Sequence, residues 1–151
     1  MEMSDLFTAL NIAVQSYDGV VGDEDNNMFI LHPIRVMLDV DTIDEQIVAL
    51  LHHVVEMEEY SLEGLREIGF SEEIINAIDA ITRRPNESFE DFISRISQNK
   101  LATRIMISDL YDILPIRCFC NNVLSEPWIS VEQIELALRH LCNISAERLV
   151  S

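Results

Sequence analysis

Hydrophobic positions recur every three to four residues through most of the chain, which is the spacing of amphipathic helices. No stretch shows the strict alternation of a half-buried strand, and the sequence has no internal repeat. The pattern predicts the all-α fold class, as a compact single-domain bundle of about eight helices. The predicted helices are Leu6–Tyr17, one that starts near Pro33, Thr42–Met57, 62–68, 72–84, 89–99, Ala102–Leu114 and 131–143. Their predicted N-caps are Ser4 or Asp5, then Thr42, Ser61, Ser71, Ser88 and Ser130.

The predicted helix Thr42–Met57 is apolar on nearly all sides between Ile47 and Val55, which indicates a helix buried in the core. His52 and His53 interrupt this run, and a buried imidazole needs a hydrogen-bond partner or a metal. Glu56 follows at helical spacing, so it shares their face. Two histidines and a carboxylate are therefore predicted to converge near the middle of the molecule.

Two other helices carry polar residues where apolar ones are expected. His32 directly precedes Pro33, so it is predicted at a helix start, facing inward as a packed histidine or as a ligand. Asp109 lies within the apolar helix Ala102–Leu114, and a buried carboxylate is costly unless it is paired or coordinated. Together with the histidine pair, these residues supply four candidate ligands from three segments. A mononuclear metal site in a helical bundle needs such a set.

Composition narrows the classes of partner. The 151 residues carry a net charge of −17, with Lys100 as the only lysine and nine dispersed arginines. This balance argues against binding the backbone of a nucleic acid. It favours an acidic surface that is simply solvated. Two alternatives are left open: an acidic surface that mimics DNA, and an origin in a saline environment. Three cysteines without a disulfide spacing indicate reduced thiols.

The sequence gives no sign of a membrane protein. No apolar run is long enough to cross a bilayer, and the first residues lack the pattern of a signal peptide. A cytoplasmic location without membrane contact is therefore expected. The oligomeric state is left open, a homo-oligomer included.

The order of these motifs resembles the HD-domain superfamily, in particular the small alarmone hydrolases that are similar to the hydrolase half of Rel/SpoT proteins. The resemblance runs from about residue 6 to residue 114, which leaves 115–151 as a C-terminal helical extension within a single domain, 1–151. The motifs that carry it are Phe29–Pro33, Leu50–Glu56, Gly69-Phe70, Ile81–Arg83 followed by Glu87–Phe89, and Ser108–Leu110.

In that family a histidine before proline, a His-Asp pair and a distal aspartate hold a divalent metal, often manganese. The resemblance therefore implies that His32, His52, His53 and Asp109 hold one divalent ion. His53 stands where the family has an aspartate. The resulting set of three imidazoles and one carboxylate suits zinc, iron or nickel better than manganese or magnesium.

Three further departures concern chemistry other than ligation. Met57 replaces the second acidic residue of the family's Glu-Asp pair, which can activate water. Ile113 replaces an asparagine, and residues 19–27 lack the expected Arg/Lys pair, so substrate contacts are missing.

Two functions are compatible with this sequence. The first is a metal-dependent (pyro)phosphohydrolase of a nucleotide or alarmone-like phosphoester, with Glu56 as general base or acid. Arg35, Arg83 and Arg84 are its candidates for phosphate contact, although each also suits a solvated surface. The second is a catalytically inactive HD-like protein that regulates by binding a nucleotide or another protein. The departures favour it, whereas the four retained ligand positions favour the enzyme.

Overall fold

The computed structural model describes residues 2–18, 30–119 and 129–150, with side chains for 5–18, 30–115 and 129–150. Over these residues the chain forms eight α-helices and no strand, which confirms the predicted all-α class. The helices are α1 Glu2–Tyr17, α2 Leu31–Leu38, α3 Ile43–Leu51, α4 Leu62–Ile68, α5 Glu72–Ile81, α6 Phe89–Ile96, α7 Lys100–Phe119 and α8 Val131–Val150.

The predicted helix starts are confirmed wherever a capping side chain defines them. Thr42 and Glu45 form a complete capping box at α3, because each side chain bonds the other residue's backbone N–H. Ser130 and Gln133 do the same at α8. Serine hydroxyls accept from the third residue of the helix at α4, α5 and α6, from Ser61, Ser71 and Ser88.

The start of α1 differs from the prediction. The helix begins at Glu2, so neither Ser4 nor Asp5 is its cap. The apolar spacing marks where a helix becomes buried, and α1 starts a full turn before that point. The apolar spacing also predicts Leu6, Leu10, Ala13 and Val14 on the inner face, but Val14 is 50% exposed, whereas Ala9, Ile12 and Ala13 are buried.

The predicted helix Thr42–Met57 is wrong beyond Leu51. One His52 ring nitrogen lies 2.5 Å from the carbonyl oxygen of Ala49, a local bond that competes with continuation of the helix. The chain then turns, with the Val54 N–H bonding the Leu51 carbonyl three residues back at 3.2 Å. The histidine pair therefore lies at the end of α3, where the two rings can reach the same side.

The ends of the later helices also differ from the prediction. Pro115 does not stop α7, which runs to Phe119 through residues predicted to be irregular. A proline within a helix crowds the backbone carbonyl four residues earlier, which here belongs to Tyr111. Tyr111 and Pro115 are both exposed, so water can bond that carbonyl in place of the missing N–H. α8 is longer than predicted, whereas α5 and α6 end at Ile81 and Ile96, earlier than predicted.

The site lies where three helices cross. α3 packs against α1, α2, α5 and α7, and its residues Ile47–Leu51 are almost completely buried. α2 packs on both α3 and α7, while α8 covers α7 and α6. α2, α3 and α7 are thus in mutual contact; α2 carries His32 and α7 carries Asp109, while His52 and His53 directly follow α3.

Among the described helices, none combines the length and apolar character that crossing a membrane requires. Cys142 is a free, half-buried thiol. The side chain of Cys118, all of Cys120, Phe29 and the stretch 19–27 lie outside the described residues.

Candidate metal centre

The four predicted ligands meet in one cluster. His32, His52, His53 and Asp109 each offer a ligand atom, and these atoms all lie within 4.8 Å of one another. The Asp109 Oδ1 atom is the centre, 2.6 Å from His32 Nε2 and 3.0 Å from His52 Nε2. The Nε2 atom of His53 is 3.8 Å away. The expectation that the four residues meet in the core is confirmed, although they lie 77 residues apart at the extreme.

The second nitrogen of each imidazole is held from outside the cluster. A metal-binding histidine typically bonds such a partner through its other nitrogen, which fixes the tautomer and the direction of the ring. The Nδ1 partners are an Asp112 carboxylate oxygen for His32 at 2.7 Å, the Ala49 carbonyl oxygen for His52 at 2.5 Å, and a Glu56 carboxylate oxygen for His53 at 3.7 Å.

His52 turns one ring nitrogen toward Asp109. A carbonyl oxygen only accepts, so His52 must carry its hydrogen on Nδ1 to bond Ala49. Burial, and then the charge of the neighbouring His53, lower the pKa of His52 to about 4, which favours the neutral ring. In that form Nε2 has a lone pair available as a metal ligand, 3.0 Å from an Asp109 carboxylate oxygen.

The other groups of the cluster carry charge. For His53, burial lowers the pKa, but the carboxylates of Asp109 and Glu56 outweigh burial and raise it to about 10. For His32, burial again lowers the pKa, and the charge of Asp109 with bonds to Asp109 and Asp112 raises it overall. Burial alone would raise the pKa of Asp109, but His32 and the other imidazoles hold it well below its usual range. Asp109 is therefore ionised and lies beside the protonated His53.

The cluster is buried on one side and open on the other. The His52 side chain is completely buried and that of Asp109 nearly so, whereas the His53 side chain is 33% exposed and His32 is partly exposed. The exposed part of the cluster is therefore formed by the edges of His32 and His53.

Glu56, the predicted general base or acid, lies on the outer side of His53. One of its carboxylate oxygens accepts the backbone N–H of Arg83 at 2.9 Å, and the other faces His53 Nδ1. Burial raises the pKa of Glu56, but His53 and the Arg83 N–H outweigh burial and lower it overall. Glu56 therefore orients His53 as an ionised carboxylate.

The three arginines predicted to bind phosphate make contacts of their own. Arg35 bonds both oxygens of Asp112, at 2.7 and 2.9 Å. Arg84 bonds the Asp79 carboxylate and two nearby backbone carbonyls. The guanidinium of Arg83 lies over the ring of Phe92, 5.8 Å from its centre. A phosphate would have to displace protein contacts to bind Arg35 or Arg84.

Two residues of the site were not predicted from the sequence. Asp112 follows Asp109 by three residues, so helical spacing alone would have placed both carboxylates on one face. Tyr17 ends α1, and burial, with the charges of Asp109 and Glu56, raises its pKa. No local pattern marks Tyr17, because only the packing of α1 on α3 brings it near.

Comparison with known proteins adds no identification. No protein-family model matches the chain, and no curated protein matches it. The HD-domain resemblance therefore remains a prediction from the motifs.

Proposed function

We propose that the chain is an HD-type metalloprotein that holds one divalent ion through His32, His52, His53 and Asp109. The observation that carries this proposal is the convergence of four ligand atoms, one from each residue, within 4.8 Å of one another. A divalent ion among these atoms would bind Nε2 of His52 and the Asp109 carboxylate oxygen that faces it at 3.0 Å. It would also use the Nε2 atoms of the other two rings, which the same carboxylate gathers.

The donor set predicts which ion is held. Three imidazole nitrogens and one carboxylate oxygen suit zinc or iron better than manganese, which prefers oxygen. Four protein ligands complete the tetrahedral shell of zinc, whereas a six-coordinate ion such as iron keeps two positions free. Iron occupancy therefore favours catalysis, and zinc occupancy favours a structural ion.

The reaction we propose is hydrolysis of a nucleotide or alarmone-like phosphoester. A divalent ion held by these residues would polarise a phosphoryl oxygen and lower the pKa of water. Asp109 would balance its positive charge, and the exposed edge of His53 is the side on which a substrate would bind. Glu56 would act on a proton through His53, because one of its oxygens faces His53 Nδ1 and the other accepts the Arg83 N–H.

A second candidate function is a metal-containing regulator without catalysis, which binds a nucleotide or a protein. The observation that favours this regulator is that Arg35 and Arg84, two of the candidate phosphate ligands, already bond carboxylates. Binding a phosphate there would cost those ion pairs. With Met57 and Ile113 at positions where the family has polar groups, the substrate contacts are weak.

The first test is the metal content of protein purified without chelator and without a nickel column. We expect one tightly held ion per chain, zinc or iron rather than manganese. We also expect negligible manganese-dependent hydrolysis of guanosine tetraphosphate, well below the ordinary enzyme range of about 1 per second or faster. Protein that holds none of these ions, even after each is added, would contradict the proposal.

The second test restores the family's residues. His53→Asp returns an oxygen ligand, so manganese affinity should rise relative to zinc, with little hydrolysis gained. The triple change His53→Asp, Met57→Asp, Ile113→Asn should then release measurable phosphate or pyrophosphate from a nucleotide panel. If native protein hydrolyses a member of the panel with iron or zinc, His53→Asp should abolish that activity. A triple variant that binds manganese but stays inactive would support the regulator.

A further inference from the structure

Asp112 and Arg35 form an ion pair directly behind one of the proposed ligands. His32 and Arg35 are three residues apart on α2, and Asp109 and Asp112 are three residues apart on α7. Residues at that spacing share a helix face, so the two pairs face each other across the contact between α2 and α7. His32 lies between the carboxylates, 2.6 Å from Asp109 and 2.7 Å from Asp112.

The contacts fix the Asp112 carboxylate in one orientation. Arg35 donates from Nε to Oδ1 at 2.7 Å and from Nη2 to Oδ2 at 2.9 Å, a two-pronged bond that favours one plane. Oδ2 also accepts from Nδ1 of His32. Each oxygen of this carboxylate accepts a bond from Arg35, and Oδ2 accepts a second one from His32, so the group presents an acceptor to Nδ1.

An acceptor fixed at Nδ1 decides which nitrogen of His32 is left for an ion. With its hydrogen held on Nδ1, the ring can lose only the hydrogen on Nε2, the atom that points at Asp109. A ring without this partner can rotate or present Nδ1 instead. Such outer partners typically change metal affinity by roughly 10- to 100-fold.

We propose that Asp112, held by Arg35, is a positioning residue that fixes His32 with Nε2 toward the ion and thereby sets the affinity of the site. This inference rests on the proposed metal site. It assigns Arg35 to the support of a ligand rather than to phosphate binding. Among the three imidazole partners, Asp112 is the only one that is itself clamped by an arginine in the described part of the chain.

The experiment compares zinc affinity, by competition with a chromophoric chelator, for native protein and three variants. Asp112→Ala should weaken zinc binding about 10- to 100-fold. Asp112→Asn keeps an oxygen acceptor for Nδ1 and should recover part of that loss. Arg35→Gln should weaken binding by less than about tenfold, because the half-exposed arginine acts through Asp112. Arg66→Gln is the matched control, since Arg66 is similarly exposed and pairs with Glu63 and Glu72 away from the site.

A spectroscopic measurement separates positioning from simple loss of structure. In ¹⁵N spectra of the zinc-loaded native protein, His32 should carry its hydrogen on Nδ1 and the metal on Nε2. That Nδ1–H signal should be lost or shifted in Asp112→Ala, with the circular dichroism spectrum unchanged. Unchanged zinc affinity in Asp112→Ala, or an unchanged Nδ1–H signal, would overturn the inference. Native protein that binds no zinc, iron or manganese would instead overturn the proposed function, and the Nδ1–H signal of the metal-free protein would then decide the orientation of His32.

Discussion

Metal binding to this site should release between about one and two protons per ion near neutral pH. His53 supplies one of them, because its pKa is raised to about 10 and the protonated ring must lose a proton to bind an ion. His32, whose pKa is also raised, supplies the rest, up to a second proton. His52 and Asp109 contribute none, because the pKa of each lies below the neutral range.

The size of the effect follows from that count. At the upper limit of two protons, each unit of pH changes the dissociation constant about 100-fold, or roughly 2.7 kcal/mol. The sign is that affinity rises with pH, because protons compete with the ion for the same nitrogens. The dependence should hold between about pH 6.5 and pH 8, below the raised pKa of His53. A site of unperturbed histidines would lose this slope above about pH 6.5.

The assay is calorimetric titration of zinc into chelator-treated protein, at one pH, in buffers with different heats of ionisation. The slope of the observed heat against the buffer heat gives the number of protons. His53→Gln should lower the release by about one proton, whereas Glu67→Gln, an exposed change on α4, should leave it unchanged. A release near zero in native protein would refute the charge assignment, and so would an undiminished release in His53→Gln.

Two further predictions concern single side chains. Asp109→Asn should weaken zinc binding by at least about 100-fold and lower the unfolding free energy of chelator-treated protein by about 1–3 kcal/mol. The reason is that a single oxygen, Oδ1, faces His32 and His52, so the amide can satisfy only one of the two rings and removes the charge that faces them; a urea titration of both forms checks it. Arg95→Ala should lower the unfolding free energy by about 2–3 kcal/mol, because the half-buried guanidinium bonds both Glu87 oxygens and the carbonyls of Asp79, Ala80 and Thr82. A loss under about 0.5 kcal/mol in thermal or urea unfolding would contradict it, with Arg66→Gln as the surface control.

The sequence predicts helix starts well because capping is local. Thr42, Ser61 and Ser88 each bond a backbone N–H within three residues, so the signal and the structure occupy the same short stretch. Helix ends are harder, because they depend on what the chain meets next. His52 ends α3 by bonding Ala49, and Pro115 fails to end α7 because the carbonyl it crowds is exposed, and neither fact is visible in the spacing.

The ligands were predictable because each is a polar residue in an apolar helix. His52 and Asp109 are buried polar residues among apolar ones. Because burying a polar group is costly unless it has a partner, such a residue in an apolar stretch indicates a site. Asp112 gave no such signal, since it lies at the edge of the buried face, where a carboxylate is unremarkable in sequence. Its role depends on the distance between α2 and α7, which the packing of both helices sets.

The placement of the ligands has a consequence for the chain as a polymer. An ion held by His32 and Asp109 joins segments separated by 77 residues, so it closes a long loop in the way that a reversible cross-link would. Restricting an unfolded chain in this way costs entropy, which increases slowly with loop length and penalises any form that keeps the ion while it unfolds. The link would tether α2, which is only eight residues long, to the 20-residue α7, whereas α8 carries none of the proposed ligands.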